Sequence, residues 1–140
     1  MDNPQKQLLD SLSRTQEIIR TSHNAIQINS NKLSECLRKK DVVGIVEMYD
    51  EDIEMLDINT PVCRGLEALR LYYETMKKML VHIEERKLTE LHTLSPFIII
   101  ERGRYSIRRS KDKLIEGRYF ALWINRTTWK IIQECRIPQT

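Results

Sequence analysis

Along residues 4–39 the apolar positions Leu8, Leu12, Ile19, Ile26, Leu33 and Leu37 recur at four- or seven-residue steps. That spacing lays side chains along one face of an α-helix. Pro4 suits its first turn, where a missing N–H costs nothing. Thr15 and Ser22 stand at intervening positions of the stripe, so it is not a self-sufficient coiled coil and should pack on the chain's own sheet or on a second copy. A break is expected near the Asn/Ser-rich residues 29–31. Asp41 then reads as the N-cap of a short helix carrying Val42, Val43, Ile45, Val46, Met48 and Tyr49, closed by the acidic turn Asp50-Glu51-Asp52.

Period-two patterning follows. Residues 53–58 predict a short strand with Ile53, Met55 and Asp57 on one face, ended by the turn Asn59-Thr60-Pro61. Gly65 precedes a helix over 66–80 with Leu69, Tyr72, Tyr73, Met76, Met79 and Leu80 apolar, and Lys77-Lys78 near its C-terminal end. Four strands come next, over 81–94, 97–108, 113–125 and 128–136. In the last hairpin, Tyr119, Ala121 and Trp123 alternate with Phe120, Leu122 and Ile124. Both faces are apolar, so the strand is expected to be covered on two sides, by a helix layer and by a partner subunit. Helices first and a meander of strands afterwards predict an α+β fold, with the helices on one face of a curved antiparallel sheet.

Composition adds limits. The 140 residues hold one domain with a real core, and 41% apolar with 31% charged residues is ordinary for a globular protein. A net charge of +3 does not require nucleic acid, and no apolar run is long enough for a membrane span. No basic region followed by an apolar block opens the chain, and Cys36, Cys63 and Cys135 show no metal or redox spacing. The expectation is a cytoplasmic protein with three reduced thiols, no cofactor and no metal site. The acids at 50–52 are spaced wrongly for a calcium loop. His23, among polar residues, is expected at the surface.

Three segments together resemble the nuclear transport factor 2-like superfamily, in its SnoaL-like and ketosteroid isomerase-like branch. They are KDVVGIVEMYDEDIEMLD at 40–57, VCRGLEALRLYYE at 62–74 and EGRYFALWINRTTWKII at 116–132. The resemblance covers roughly Leu33 to Arg136. It divides the chain into an N-terminal helical extension, 1–32, and a SnoaL-like domain, 33–140. It implies a cone-shaped (cystatin-like) α+β barrel, a pocket between sheet and helices for a small apolar molecule, and a homodimer through the outer face of the sheet.

Fold does not fix function. By the resemblance, Asp57 falls on the general-base aspartate of ketosteroid isomerases, where a carboxylate in an apolar cavity abstracts a proton. Leu33 stands where those enzymes carry a donor tyrosine, and Ile58 replaces the usual proline after the base, so the oxyanion-holding half is missing. Glu134 falls where SnoaL-like relatives have an aspartate. It is either a second catalytic acid or a structural ion pair with Arg136 or Arg118. Tyr49, Met55, Tyr72, Met76, His92, Tyr105, Tyr119 and Trp123 are the expected pocket lining; for the strand aromatics and His92 the plainer alternative is ordinary core or strand packing. Arg102, Arg104 and Arg108 share one strand face. A phosphate-bearing ligand or RNA could use such a patch, but Tyr105 points the other way, so no aromatic of that strand stacks beside the arginines, and a solvated or subunit-edge face is expected instead. Two functions stay open: ligand binding with acid/base chemistry, and a non-catalytic homodimeric association module.

Overall fold

The long stripe forms one unbroken helix, α1 (Pro4–Lys39). Asn3 caps it by accepting the Gln5 N–H at 3.0 Å, and Lys40 closes it in the left-handed conformation, φ 56°. The expected break at 29–31 is absent because Ser30 faces inward and is held there: its hydroxyl donates to Glu101 Oε2 at 2.9 Å. The computed structural model describes residues 3–57, 60–79 and 83–139; Ile58, Asn59, Leu80, Val81 and His82, to which the sequence assigned strand, turn or helix, lie outside these. Every described residue up to Ile18 is exposed, so the first half of α1 extends past the sheet, with Leu8, Leu9, Leu12 and Ile18 uncovered. His23 is half-buried rather than on the surface, because Thr93 lies 2.7 Å from its Nε2.

Asp41 caps α2 (Val42–Val46) through the Gly44 N–H, at 3.1 Å. The acids that follow do not close a helix. They open strand β1 (Tyr49–Asp57), and Asp50 and Asp52 both accept from Arg126 Nη1, at 3.3 and 3.4 Å. A two-residue β2 (Cys63–Arg64) leads into α3 (Gly65–Lys77), entered at Gly65 with φ +82°, a conformation that other residues adopt only with strain. The rest is strand: β3 (Ile83–Ser95), β4 (Ile98–Ser110), β5 (Lys113–Asn125) and β6 (Trp129–Pro138). No helix among the described residues is long and apolar enough to cross a membrane.

The six strands form one curved sheet in the order β2-β1-β6-β5-β4-β3. β3 to β6 are the expected antiparallel meander, while β1 returns to lie parallel to β6, joining Met55 to Glu134 and Asp57 to Arg136 in register. The helices cover the inner face. Ile26, Leu33, Leu37, Ile45 and Leu69 pack there on Ile53, Ile99, Ala121, Trp123 and Ile131.

Two strand glycines allow the tight curl. A β-carbon on Gly103 would stand 2.3 Å from the Lys87 carbonyl and 2.4 Å from the Tyr119 hydroxyl. One on Gly117 would stand 2.3 Å from the Ile137 carbonyl and 2.7 Å from the Tyr105 ring. Each tyrosine thus lies over the glycine opposite it in register, Tyr119 over Gly103 and Tyr105 over Gly117.

Trp123 is fully buried, and its indole N–H donates to Glu101 Oε1 at 2.8 Å. Trp123→Ala should cost ~3–5 kcal/mol, as other large-to-small core changes do. Trp123→Phe keeps most of the packing but strips a partner from a buried carboxylate, at ~1–3 kcal/mol. Urea melts of both variants test this; a Trp123→Ala midpoint equal to the parent's would show that the hairpin is peripheral.

Candidate functional site

The inner face of the cone carries charge where an open apolar cavity was expected. Glu84, Arg86, Glu101, Glu134 and Arg136 are all buried, and the strand register brings them together from β3, β4 and β6. Arg86 Nη1 and Tyr49 donate to Glu134 Oε1, the latter at 3.1 Å, and Arg136 Nε donates to Oε2 at 3.1 Å. Arg136 continues to the Tyr73 hydroxyl at 2.9 Å and to Glu84. On the other side Glu101 accepts from Ser30, Tyr119 and Trp123, and Arg86 Nη2 stands 3.4 Å from it. The Arg86 guanidinium also lies 4.0 Å over the Tyr119 ring, a cation–π contact in a dry setting.

The electrostatics follow from this packing. Burial alone would raise the Glu134 carboxyl, but Arg86 and Arg136, both hydrogen-bonded to it, outweigh burial and hold it below the ordinary value. Glu84 has the same burial and weaker compensation; burial pushes it up, and Arg136 offsets that only in part. Two guanidiniums face three carboxylates, so a reluctance of Glu84 to ionise relieves the surplus negative charge. Burial acts against charge on Arg86, yet Glu134 and Glu101 keep it firmly protonated. Burial likewise raises Tyr49 and Tyr119, which keeps both hydroxyls as donors.

These contacts place the expected site residues in separate groups. Glu134, Tyr49, Tyr119 and Trp123 belong to the buried network. For Glu134 the ion-pair alternative is what the geometry displays, with Arg136 and with Arg86, while Arg118 faces outward and is exposed. Tyr105 is also buried, its ring centre 5.7 Å from the Arg136 guanidinium carbon. His92 was expected in the pocket and is not there. A register shift after Leu88 turns it to the outer face, where it is exposed and pairs with Glu90 at 3.0 Å.

Met55, Asp57, Tyr72 and Met76 do come together. They line a groove of about 400 Å³ at the mouth of the cone, between β1–β2 and α3, with Pro61, Val62 and Leu71 completing an apolar wall. Among the described residues Asp57 is the one charged side chain in that lining. Burial raises the Tyr72 hydroxyl, leaving it a donor at the same mouth.

Glu84, Arg86 and Glu101 escaped the reading of the sequence. Their signal was alternation: Glu101 stands between Ile99 and Tyr105 on the inward face of its strand, and Glu84 and Arg86 sit two apart.

The architecture is the nuclear transport factor 2-like, cystatin-like α+β fold of the solved structures it superposes on. No protein-family model matches the sequence, and a search of curated proteins finds no match. Solved structures do match. A nuclear transport factor 2-like protein of unknown function from Shewanella oneidensis superposes with a TM-score of 0.69 at 19% identity, covering 82% of this chain and 98% of that one. A ketosteroid isomerase-like protein from Erwinia carotovora gives 0.70 at 11% identity, over 84% and 95%. Hexachlorocyclohexane dehydrochlorinase LinA type 2 gives 0.75 at 15% identity, over 89% and 90%. At these identities the likeness is one of fold.

Glu134→Gln should cost ~3–5 kcal/mol at neutral pH, because two buried guanidiniums lose their shared anion. The sign with pH is set by the folded value lying below the unfolded one. Glu134 stabilises fully above about pH 5, and that contribution is lost as pH falls through its folded pKa. Glu84 runs the other way: its contribution is present below the unfolded value and fades as pH rises through the raised one. Urea midpoints measured across acid to neutral pH should therefore fall less steeply towards acid in Glu134→Gln, and less towards neutral in Glu84→Gln, than in the parent.

Proposed function

We infer that this chain is a SnoaL-like protein that binds a small apolar molecule in the mouth groove, with Asp57 as its acid/base residue. The observation that carries this reading is one carboxylate set into a mainly apolar lining, with the hydroxyls of Tyr72, Thr60 and Thr75 in the same wall. A groove of this size suits a compact ligand, and apolar walls with few polar groups are the usual construction of small-molecule sites. A carboxylate there can take a proton from an acidified C–H. The related folds named above support the class of chemistry, since they include an isomerase-like protein and a dehydrochlorinase. The buried network is excluded from this role because Glu134 is already held by Arg86, Arg136 and Tyr49.

The test pairs binding with exchange. Met76→Trp should fill the groove and abolish thermal-shift binding of a panel of small cyclic ketones, without loss of secondary structure. Asp57→Asn should keep binding but remove proton exchange at the ketone α-carbon, read by NMR, since an amide cannot accept the proton. Binding unchanged in Met76→Trp would end the assignment of the groove; binding without exchange in the parent would leave a binding protein with no catalysis.

The association reading is favoured by a separate observation. Ile98, Ile100, Leu122, Ile124 and Ile132 lie on the outer face of the sheet, none fully buried, a patch that one chain leaves without a cover. A homodimer through this end of the sheet is proposed. Sedimentation should give about twice the 16.7 kDa chain mass. Leu122→Glu should return the monomer, and a parent that sediments as a monomer at every concentration would remove the proposal.

A further inference from the structure

The outer face has a second end, and it is cationic. In register across three strands stand Lys87, Arg104 and Arg118, each directly opposite the next. Side chains in such positions are close neighbours on one face, and like charges there repel. One step along, Arg102 adds a third guanidinium. All four are exposed, and among the described residues no carboxylate lies within 4.0 Å of any of them. Glu90, opposite Arg102, is already engaged by His92.

The arginines surround a groove of about 580 Å³, within the usual range of small-molecule sites. Arg102, Arg104 and Arg118, with Thr89 and the His92-paired Glu90, form its polar wall, and Ile100, Phe120 and Ile137 its apolar one. Its floor includes Gly103, so the groove reaches backbone there. β4 itself carries no outward aromatic, but the register supplies one. Phe120 of β5 lies directly opposite Arg102 and is 41% exposed. A flat apolar surface beside three fork-shaped donors fits one kind of molecule: an aromatic ring that stacks, joined to phosphate that takes paired N–H bonds. A bare inorganic anion leaves the apolar wall unused. A nucleic acid strand needs successive stacking platforms; of the two aromatics in the lining, Tyr119 is buried and Phe120 alone is exposed to stack.

We propose that this groove binds a soluble nucleotide-sized aromatic phosphate, with Arg102, Arg104 and Arg118 holding the phosphates and Phe120 the ring. The site is independent of the mouth groove. On the outer face it adjoins the apolar patch, with Ile100 belonging to both.

Isothermal titration of the full chain tests this with three probes: ADP, inorganic pyrophosphate and adenosine. ADP should bind more tightly than pyrophosphate, and adenosine at least about tenfold more weakly than ADP, since it lacks the charged contacts. Raising the salt should weaken ADP binding several-fold, because the cations are exposed. Arg104→Gln and Arg118→Gln should each weaken it about tenfold. Phe120→Ala should weaken ADP while leaving pyrophosphate unchanged. Should a Gln variant melt early, Arg118→Lys keeps the charge and should retain pyrophosphate while losing part of the ADP affinity. No heat with either phosphate would overturn the proposal, as would ADP binding indifferent to both Gln variants. Gln variants that alter only the sedimentation of the protein would assign the row to contact with a second copy, against the proposal.

Discussion

The structure depends on the ion cluster at the centre of its cone. Arg86 and Arg136 are buried guanidiniums, and an isolated charge in that position would cost several kcal/mol. Glu134 resolves the problem for both. It lies between them, accepts from each, and takes a further bond from Tyr49. Glu101 and Glu84 flank the pair, so no charge in the interior stands without an opposite one. Contributions from β1, β3, β4, β5 and β6 meet in this cluster, which couples the curl of the sheet to the placement of each strand. Gly103 and Gly117 belong to the same constraint, because only a residue without a side chain lets Tyr119 and Tyr105 close over the strand beside the arginines.

That cluster decides where chemistry can occur. At the centre of the cone each carboxylate of the cluster is set against a buried arginine, and tyrosine hydroxyls fill in around them. A groove lies at the mouth, where β1 ends and α3 passes over it. There the chain presents an acid among methionine, leucine, valine and proline. Shared fold with isomerase-like and dehydrochlorinase structures does not by itself transfer a site.

The two faces of the sheet follow one rule with opposite results. Inside, side chains reaching from separate strands set unlike charges against each other; outside, register sets like charges in a row, Lys87, Arg104, Arg118, with the aromatic of the neighbouring strand beside them. Like charges brought together at a surface are tolerated because water screens them, and they become an asset when an anion arrives.

Much of this was written in the order of residues. The seven-residue stripe required α1, the alternation of residues 119–124 required a strand with Tyr119, Ala121 and Trp123 on its inward face, and Asp41 required a helix start. Each is a local property, set by periodicity or by a side chain bonding its own backbone, and each survives in the fold; the cone was implied by the resemblance of three short segments to a known family. His92 failed because a single register shift after Leu88 reverses a face, and no local pattern announces such a shift. The break expected at residues 29–31 failed because a polar serine that looks like a helix breaker in sequence becomes a donor once Glu101, 71 residues away, is brought beside it. Glu134 was legible as a charged residue on an inward face with Arg136 as a partner on its own strand, while the other candidate, Arg118, points outward and the second partner, Arg86, comes from β3. Local periodicity tells which way a side chain faces; only the register between strands tells what it faces. Here that pairing decided that the centre of the cone is structure, that Asp57 stands at the open mouth, and that Phe120 lies among the arginines.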